Sequence, residues 1–154
     1  MAYLMVDTDV FSYLTKKDPI WAAPYQPHLS GHILTLSFIT VGELYAGHFQ
    51  NIARGQWPAS RLQKLEQDLR SVTIAPYDIE ICKGFGRLSK LENPDRTHRK
   101  METNDQWIAA CAIRHSLVLV TNNRAHFQNI PDLTIICEAP ATRPKKAASP
   151  SAPQ

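Results

Sequence analysis

No apolar run in this 154-residue chain approaches the roughly 18 residues that a membrane-crossing helix requires. The N-terminus has no basic stretch followed by a long apolar one, so no secretory leader is expected. Cysteine is sparse. Cys82, Cys111 and Cys137 are odd in number and lack metal-ligand spacing, which argues against a disulfide framework or a zinc site. Each sits among apolar neighbours and reads as a buried free thiol, in keeping with a reducing cytoplasm. Strong charge imbalance is missing too, despite a formal net charge of +3. Arg143, Lys145 and Lys146 lie in a C-terminal stretch without acids, which leaves fourteen bases against fourteen acids in residues 1–138. A neutral body gives no global field for nucleic acid, so any such field must be local. There is no internal repeat.

What is present is ordinary for one globular domain: 44% hydrophobic and 20% charged residues. A chain of this length buries roughly 70% of its unfolded surface, enough for a real core. Short apolar runs at 3–6, 33–36, 72–75, 117–121 and 133–137 read as five strands. Helical spacing fills the gaps. Val10 to Leu14 forms a first helix, ended by Asp18-Pro19. Thr40 is the expected N-cap of the next, with Glu43 at capping-box distance and Val41, Leu44, Tyr45 and Phe49 on its inner face. Pro58 opens a helix striped by Leu62, Leu65 and Leu69, a face open to self-pairing. Asp78 caps a helix carrying Ile81, Phe85, Leu88 and Leu91, broken at Asn93-Pro94. A polar loop over 95–102 precedes a helix from Asn104 or Asp105 to about His115. Asn122-Asn123 turns, and Pro131 stops a short helix over 124–130. Trp21, Tyr25 and Trp57 flank prolines and are expected at the surface. Trp107 is expected to pack. Alternating strands and helices imply a mostly parallel sheet covered on both faces, a three-layer α/β/α domain over residues 1–138. Residues 139–154 are rich in Pro, Ala, Ser and Lys and are expected to be a disordered tail.

Asp7, Glu43 and Asp105 are the residues with most chemical content. Asp7 ends the first strand, Glu43 lies early in the helix after the second, and Asp105 opens a later helix. In an open α/β sheet, strand carboxyl ends and helix starts share one rim, where ligands bind. Carboxylates gathered there repel. At an effective dielectric of about 20, two charges ~4 Å apart cost roughly 4 kcal/mol. A hard divalent cation relieves that cost. The plainer alternative is capping: Asp7 for the first helix, Glu43 as partner of Thr40, Asp105 or Asn104 for the later helix. Both roles are compatible at a helix N-terminus, which favours anions. Asp9 is read as a cap, Glu102 as a surface acid. His28, His32, His48, His98 and His115 have no ligand spacing.

Four segments in order carry a family resemblance: Val6-Asp7-Thr8-Asp9-Val10, Thr40-Val41-Gly42-Glu43-Leu44-Tyr45-Ala46-Gly47, Asn104-Asp105-Gln106-Trp107-Ile108-Ala109-Ala110, and Leu119-Val120-Thr121-Asn122-Asn123 followed by Phe127. With them the chain resembles PIN-domain ribonucleases, and among these the VapC-type toxins. The resemblance implies a Mg²⁺- or Mn²⁺-dependent endoribonuclease acting on RNA such as tRNA or rRNA. It further implies a cognate antitoxin and a homodimer; the lack of a long apolar run leads to the expectation of no membrane partner. By position, Asp7, Glu43 and Asp105 match the family's acidic metal site, and Thr8 and Thr121 its supporting hydroxyls. Where the family often has a fourth acid, this chain has Asn123 and His126. That departure removes one charge and bears on a second ion more than on the first. The implied reaction is in-line attack by an activated water, leaving 5′-phosphate and 3′-hydroxyl ends, with Glu43 completing the metal shell or orienting the water. Arg99 and Lys100, beside Arg96 and His98, are candidate phosphate contacts. Two other readings stand beside this one: a catalytically impaired module that binds RNA or a protein, and a DNA-processing nuclease, for which the chain is short.

Overall fold

The computed structural model describes residues 1–91 and 101–142. The segment holding Asn93-Pro94, Arg96, His98, Arg99 and Lys100 lies outside them, as do residues 143–154 of the expected tail. Among the described residues no helix is long and apolar enough to cross a membrane.

Five short strands form the sheet: β1 (Tyr3–Val6), β2 (Ile33–Leu36), β3 (Thr73–Ile74), β4 (Val118–Val120) and β5 (Ile135–Ile136). Their order is β3-β2-β1-β4-β5 and every pairing is parallel. Side chains alternate along β1 and reach two separate cores. Leu4 and Val6 pack with Val10, Phe11, Leu36, Leu44 and Leu65. Met5 packs with Ile81, Ile108, Leu119 and Phe127. The first core is closed by α1 (Thr8–Thr15), α3 (Phe38–Ala53) and α4 (Ser60–Arg70), the second by α5 (Ile79–Leu88), α6 (Thr103–Arg114) and α7 (Arg124–Phe127). A 3₁₀ turn at Ala23–Tyr25 and the short α2 (Gln26–Leu29) fill the link to β2. The result is the expected three-layer α/β/α arrangement.

Helix α6 is buried almost all round at Gln106, Ile108, Ala109, Ala110, Cys111 and Ala112. It pairs antiparallel with α5. Gln106 Nε2 donates to Phe85 O at 2.7 Å at one end, and Arg114 meets Asp78 at 2.6 Å at the other. Between them Trp107 stacks on Phe85 with ring centroids 4.0 Å apart, the packing role expected of it. Asp78 caps α5 as expected, accepting from Ile81 N.

Several local expectations fail, each for a physical reason. Thr40 is not the N-cap of α3. Ser37 is, because β2 ends at Leu36 and the chain turns at once. Pro58 precedes α4 by two positions rather than opening it. Phe49 is 56% exposed on the outer face of α3, and Leu91 lies beyond the end of α5. Leu65 is in the core and unavailable for self-pairing. Cys111 is buried, whereas Cys82 and Cys137 are only half-buried; all three are free. Contacts of the body also run past Glu138, since Ala141 N donates to Ile20 O at 2.8 Å.

Candidate active site

The chain builds β1, β2 and β3 in one direction, then returns so that β4 lies on the other side of β1. That reversal opens a crevice between the carboxyl ends of β1 and β4, the usual ligand position in an open α/β sheet. Val6 and Val120 are the last paired residues there. The next residues are Asp7 and Thr121, and both are buried.

Asp7 caps α1. Its Oδ1 accepts from Thr8 N at 2.7 Å and its Oδ2 from the Thr121 hydroxyl at 2.8 Å. The Thr121 proton has a fixed direction, because Asn123 N donates to Thr121 Oγ1 at 3.1 Å. Burial raises the Asp7 pKa to about 6, against the lowering effect of these two donors; Asp105 and Asp9 add like charge. Asp9 is therefore not the cap it was expected to be. It is exposed in the first turn of α1, and its charge acts on Asp7 and Asp105.

Glu43 lies in the second turn of α3, where Thr8 rather than Thr40 holds it. The Thr8 hydroxyl is 2.8 Å from Glu43 Oε1 and 3.4 Å from Thr40 Oγ1. It has one proton, and the shorter contact to a carboxylate takes it. Behind it, Ser37 Oγ donates to Thr40 Oγ1 at 3.1 Å, and both residues are fully buried. A file of hydroxyls thus runs from Ser37 through Thr40 and Thr8 to Glu43. Thr8 is also the residue whose amide serves Asp7, so one position couples two of the acids.

Asp105 occupies the first turn of α6, and neither it nor Asn104 supplies a side-chain cap there. Its Oδ2 is 2.5 Å from His126 Nδ1, which brings Asp105 to the loop after β4. Burial raises its pKa; the His126 contact opposes this, and Glu102 and Asp9 reinforce it. His126 Nδ1 is also 2.7 Å from the Asn123 amide. One ring nitrogen cannot donate to a carboxylate and accept from an amide nitrogen at once. Turning the Asn123 amide by half a revolution presents its oxygen instead, and a single Nδ1 proton then serves both. His126 thus stands against Asp105.

The sequence-derived residues Asp7, Thr8, Glu43, Asp105, Thr121, Asn123 and His126 therefore form one connected rim. Among the described residues, no three His, Cys, Asp or Glu side chains already form an ion-sized cluster. The donor set nevertheless suits a hard cation. Two carboxylates in mutual repulsion retain oxygen lone pairs beyond their hydrogen bonds, and the burial cost on Asp7 falls if positive charge arrives.

Tyr25 is the residue that sequence reasoning missed. It was expected at the surface but is 1% exposed. Its hydroxyl lies 3.0 Å from Thr121 O and 3.2 Å from Asn122 Oδ1. No local signal marks it, since its partners are about a hundred positions away. Of its two companions, Trp21 is half-buried against Tyr13, and Trp57 is half-buried between His48 and Arg61.

Comparison with known proteins agrees with this fold. The PIN domain family model matches residues 4–133. The chain is 31% identical over 137 residues to Ribonuclease VapC1 of Haemophilus influenzae (strain R2866), a match covering 84% of this chain and 92% of that one. The structure of VapBC-1 from nontypeable Haemophilus influenzae aligns with a TM-score of 0.69 at 31% identity, covering 89% of this chain and 98% of that chain. DNA-bound VapBC from Salmonella typhimurium aligns at 0.70 with 26% identity over the same shares, 89% and 98%. The fold, the acidic rim and these likenesses lead to one assignment: the chain belongs to the PIN-domain family and is of the VapC type.

Proposed function

We propose that this chain is a divalent-cation-dependent endoribonuclease and the toxin of a toxin–antitoxin pair. The observation that carries the reading is the chain of hydrogen bonds at the switch point of the sheet that runs from Asp7 through Thr121, Asn123 and His126 to Asp105. Asp7 and Asp105 would hold the cation, Mg²⁺ or Mn²⁺. When bound, such an ion neutralises charge on the scissile phosphate and acidifies a water. Thr121 and the Thr8 amide keep both Asp7 oxygens aimed. Glu43, steadied by the Thr8 hydroxyl, orients the attacking water and receives its proton. His126, held against Asp105 and Asn123 through Nδ1, would contact a phosphate oxygen through Nε2. Arg99 and Lys100 remain proposed backbone contacts of the RNA.

RNA as substrate is supported by the name of the VapC1 relative, and a protein antitoxin by the VapBC complexes among the structural neighbours. A cytoplasmic place of action and a homodimer belong to the same proposal. The deciding experiment incubates purified protein with total RNA and Mg²⁺, with and without EDTA, and maps the new ends. Cleavage that needs the metal and leaves 5′-phosphates is expected. RNA left intact with Mg²⁺ or Mn²⁺ would reject the enzyme.

One observation favours a second reading. With His126 fastened to Asp105, the rim has less negative charge than a four-acid site. A module that binds RNA without cutting it would show retention of RNA, and no new ends, in the same experiment.

A further inference from the structure

We infer that Tyr25 is a positioning residue for the acidic site, and that the segment after β5 is the clamp that holds it there. The inference rests on the proposed nuclease reading of that site. Strand pairing between β4 and β5 ends at Val120 and Ile136, with one further bond from Thr121 N to Ile136 O. Among the described residues no ladder continues past that point. The Tyr25 hydroxyl bridges the two loops that follow. Its oxygen accepts from Glu138 N at 3.2 Å, and its single proton faces Thr121 O at 3.0 Å, Asn122 Oδ1 at 3.2 Å and Glu138 O at 3.4 Å. The nearest of these acceptors is the carbonyl of the residue whose hydroxyl holds Asp7.

The loop after β4 is where the two acids converge. Thr121 contacts Asp7 from its start, and His126, four residues further along the turn than Asn122, contacts Asp105. A shift of this loop therefore moves the supports of both carboxylates together. Tyr25 is suited to prevent that shift, because its ring is locked in the core with Leu4, Val6 and Val120 while only the hydroxyl reaches the rim. Burial also pushes its pKa up to about 12, so it stays a donor at any working pH.

The clamp has its own fastenings. Glu138 Oε1 meets His28 Nε2 at 2.7 Å, Ala141 N donates to Ile20 O at 2.8 Å, and Arg124 donates to Cys137 O at 3.0 Å. Arg124 begins the short helix that carries His126. The segment 137–141 thus ties the Tyr25 region to Arg124 in the site loop.

The test compares Tyr25→Phe and Glu138→Ala with the parent. Tyr25→Phe keeps the ring and removes the hydroxyl. Three readouts are taken at a temperature where circular dichroism shows each protein folded: cleavage of a fluorophore–quencher RNA oligonucleotide, the midpoint of a Mn²⁺ titration without RNA, and the melting temperature. Loss of positioning should lower kcat about tenfold, leave KM within about twofold, and weaken Mn²⁺ binding about threefold. Glu138→Ala removes the carboxylate that holds His28 and should move kcat and the Mn²⁺ midpoint in the same direction by a smaller factor. A merely structural tyrosine would lower the melting temperature and leave both readouts of the folded protein unchanged, which overturns the inference. If Tyr25→Phe does not fold, an unchanged kcat in Glu138→Ala overturns it alone. If the parent takes up Mn²⁺ but cuts no RNA, the nuclease reading fails and the Mn²⁺ midpoints still decide the role of Tyr25. A parent that does neither overturns both.

Discussion

Replacing Asp7 with Asn should make the metal-free protein more stable at neutral pH and less stable in acid. Asp7 ionises in the fold only near pH 6, against 3.8 for the ordinary side chain. A folded pKa above the unfolded one means that the ionised form is tolerated less well in the fold than in the open chain. The resulting loss of stability is absent below about pH 4, grows as pH rises through the folded pKa, and is complete above it. At roughly 1.4 kcal/mol per tenfold, the full loss is about 3 kcal/mol. Asn removes it and remains a good N-cap. Asn also has one oxygen where Asp has two, so either Thr8 N or Thr121 loses its acceptor, at a cost of about 1 kcal/mol. The variant should gain about 2 kcal/mol at pH 7.5 and lose about 1 kcal/mol at pH 4, which for a chain of this size is about 6 °C up and about 3 °C down in Tm. The assay is thermal denaturation in EDTA from pH 4 to 8. Asp105, whose pKa burial also raises, is relieved of the Asp7 charge in the variant, and that relief adds to the gain at neutral pH and is absent in acid. A Tm difference that stays constant across this range would refute the reasoning.

Thr121→Val keeps the shape of the side chain and deletes the donor to Asp7 Oδ2. Cleavage should fall about tenfold, and stability at neutral pH should drop by about 1–2 kcal/mol, both measurable on one preparation. Because a cation must displace the Asp7 proton, Mn²⁺ affinity should fall by about tenfold between pH 7 and pH 5; calorimetry at the two values checks this. Trp107→Ala opens the stack against Phe85 between α5 and α6. A half-buried ring of this size should cost about 2 kcal/mol, seen as a Tm lower by about 6 °C with the Mn²⁺ midpoint unchanged.

The elements themselves were legible because each strand is a compact apolar run and each helix has its own period. β1 and β2 stand at the expected boundaries for that reason. The start of α3 was ambiguous because Ser37 and Thr40 both offer a capping hydroxyl at suitable spacing. Which one caps is decided by where β2 lets the chain turn, a tertiary matter. Asp7, Glu43 and Asp105 could be named from local context, but the order of the strands could not. The return of β4 beside β1 is what sets Thr121 against Asp7. Tyr25 was illegible for the same reason in stronger form. A proline-flanked aromatic reads as surface until the segment carrying Glu138, 113 positions later, closes over it. His126 was visible as a departure from the family pattern, yet its grip on Asp105 depends on α6 and α7 meeting.

Direct titration of Mn²⁺ into the metal-free protein by calorimetry tests most closely whether these distant acids act as one ligand set. About one equivalent is expected to bind the parent, and both Asp7→Asn and Asp105→Asn are expected to lose that uptake while remaining folded. Equal uptake by the parent and the two variants, or none by the parent, would contradict it.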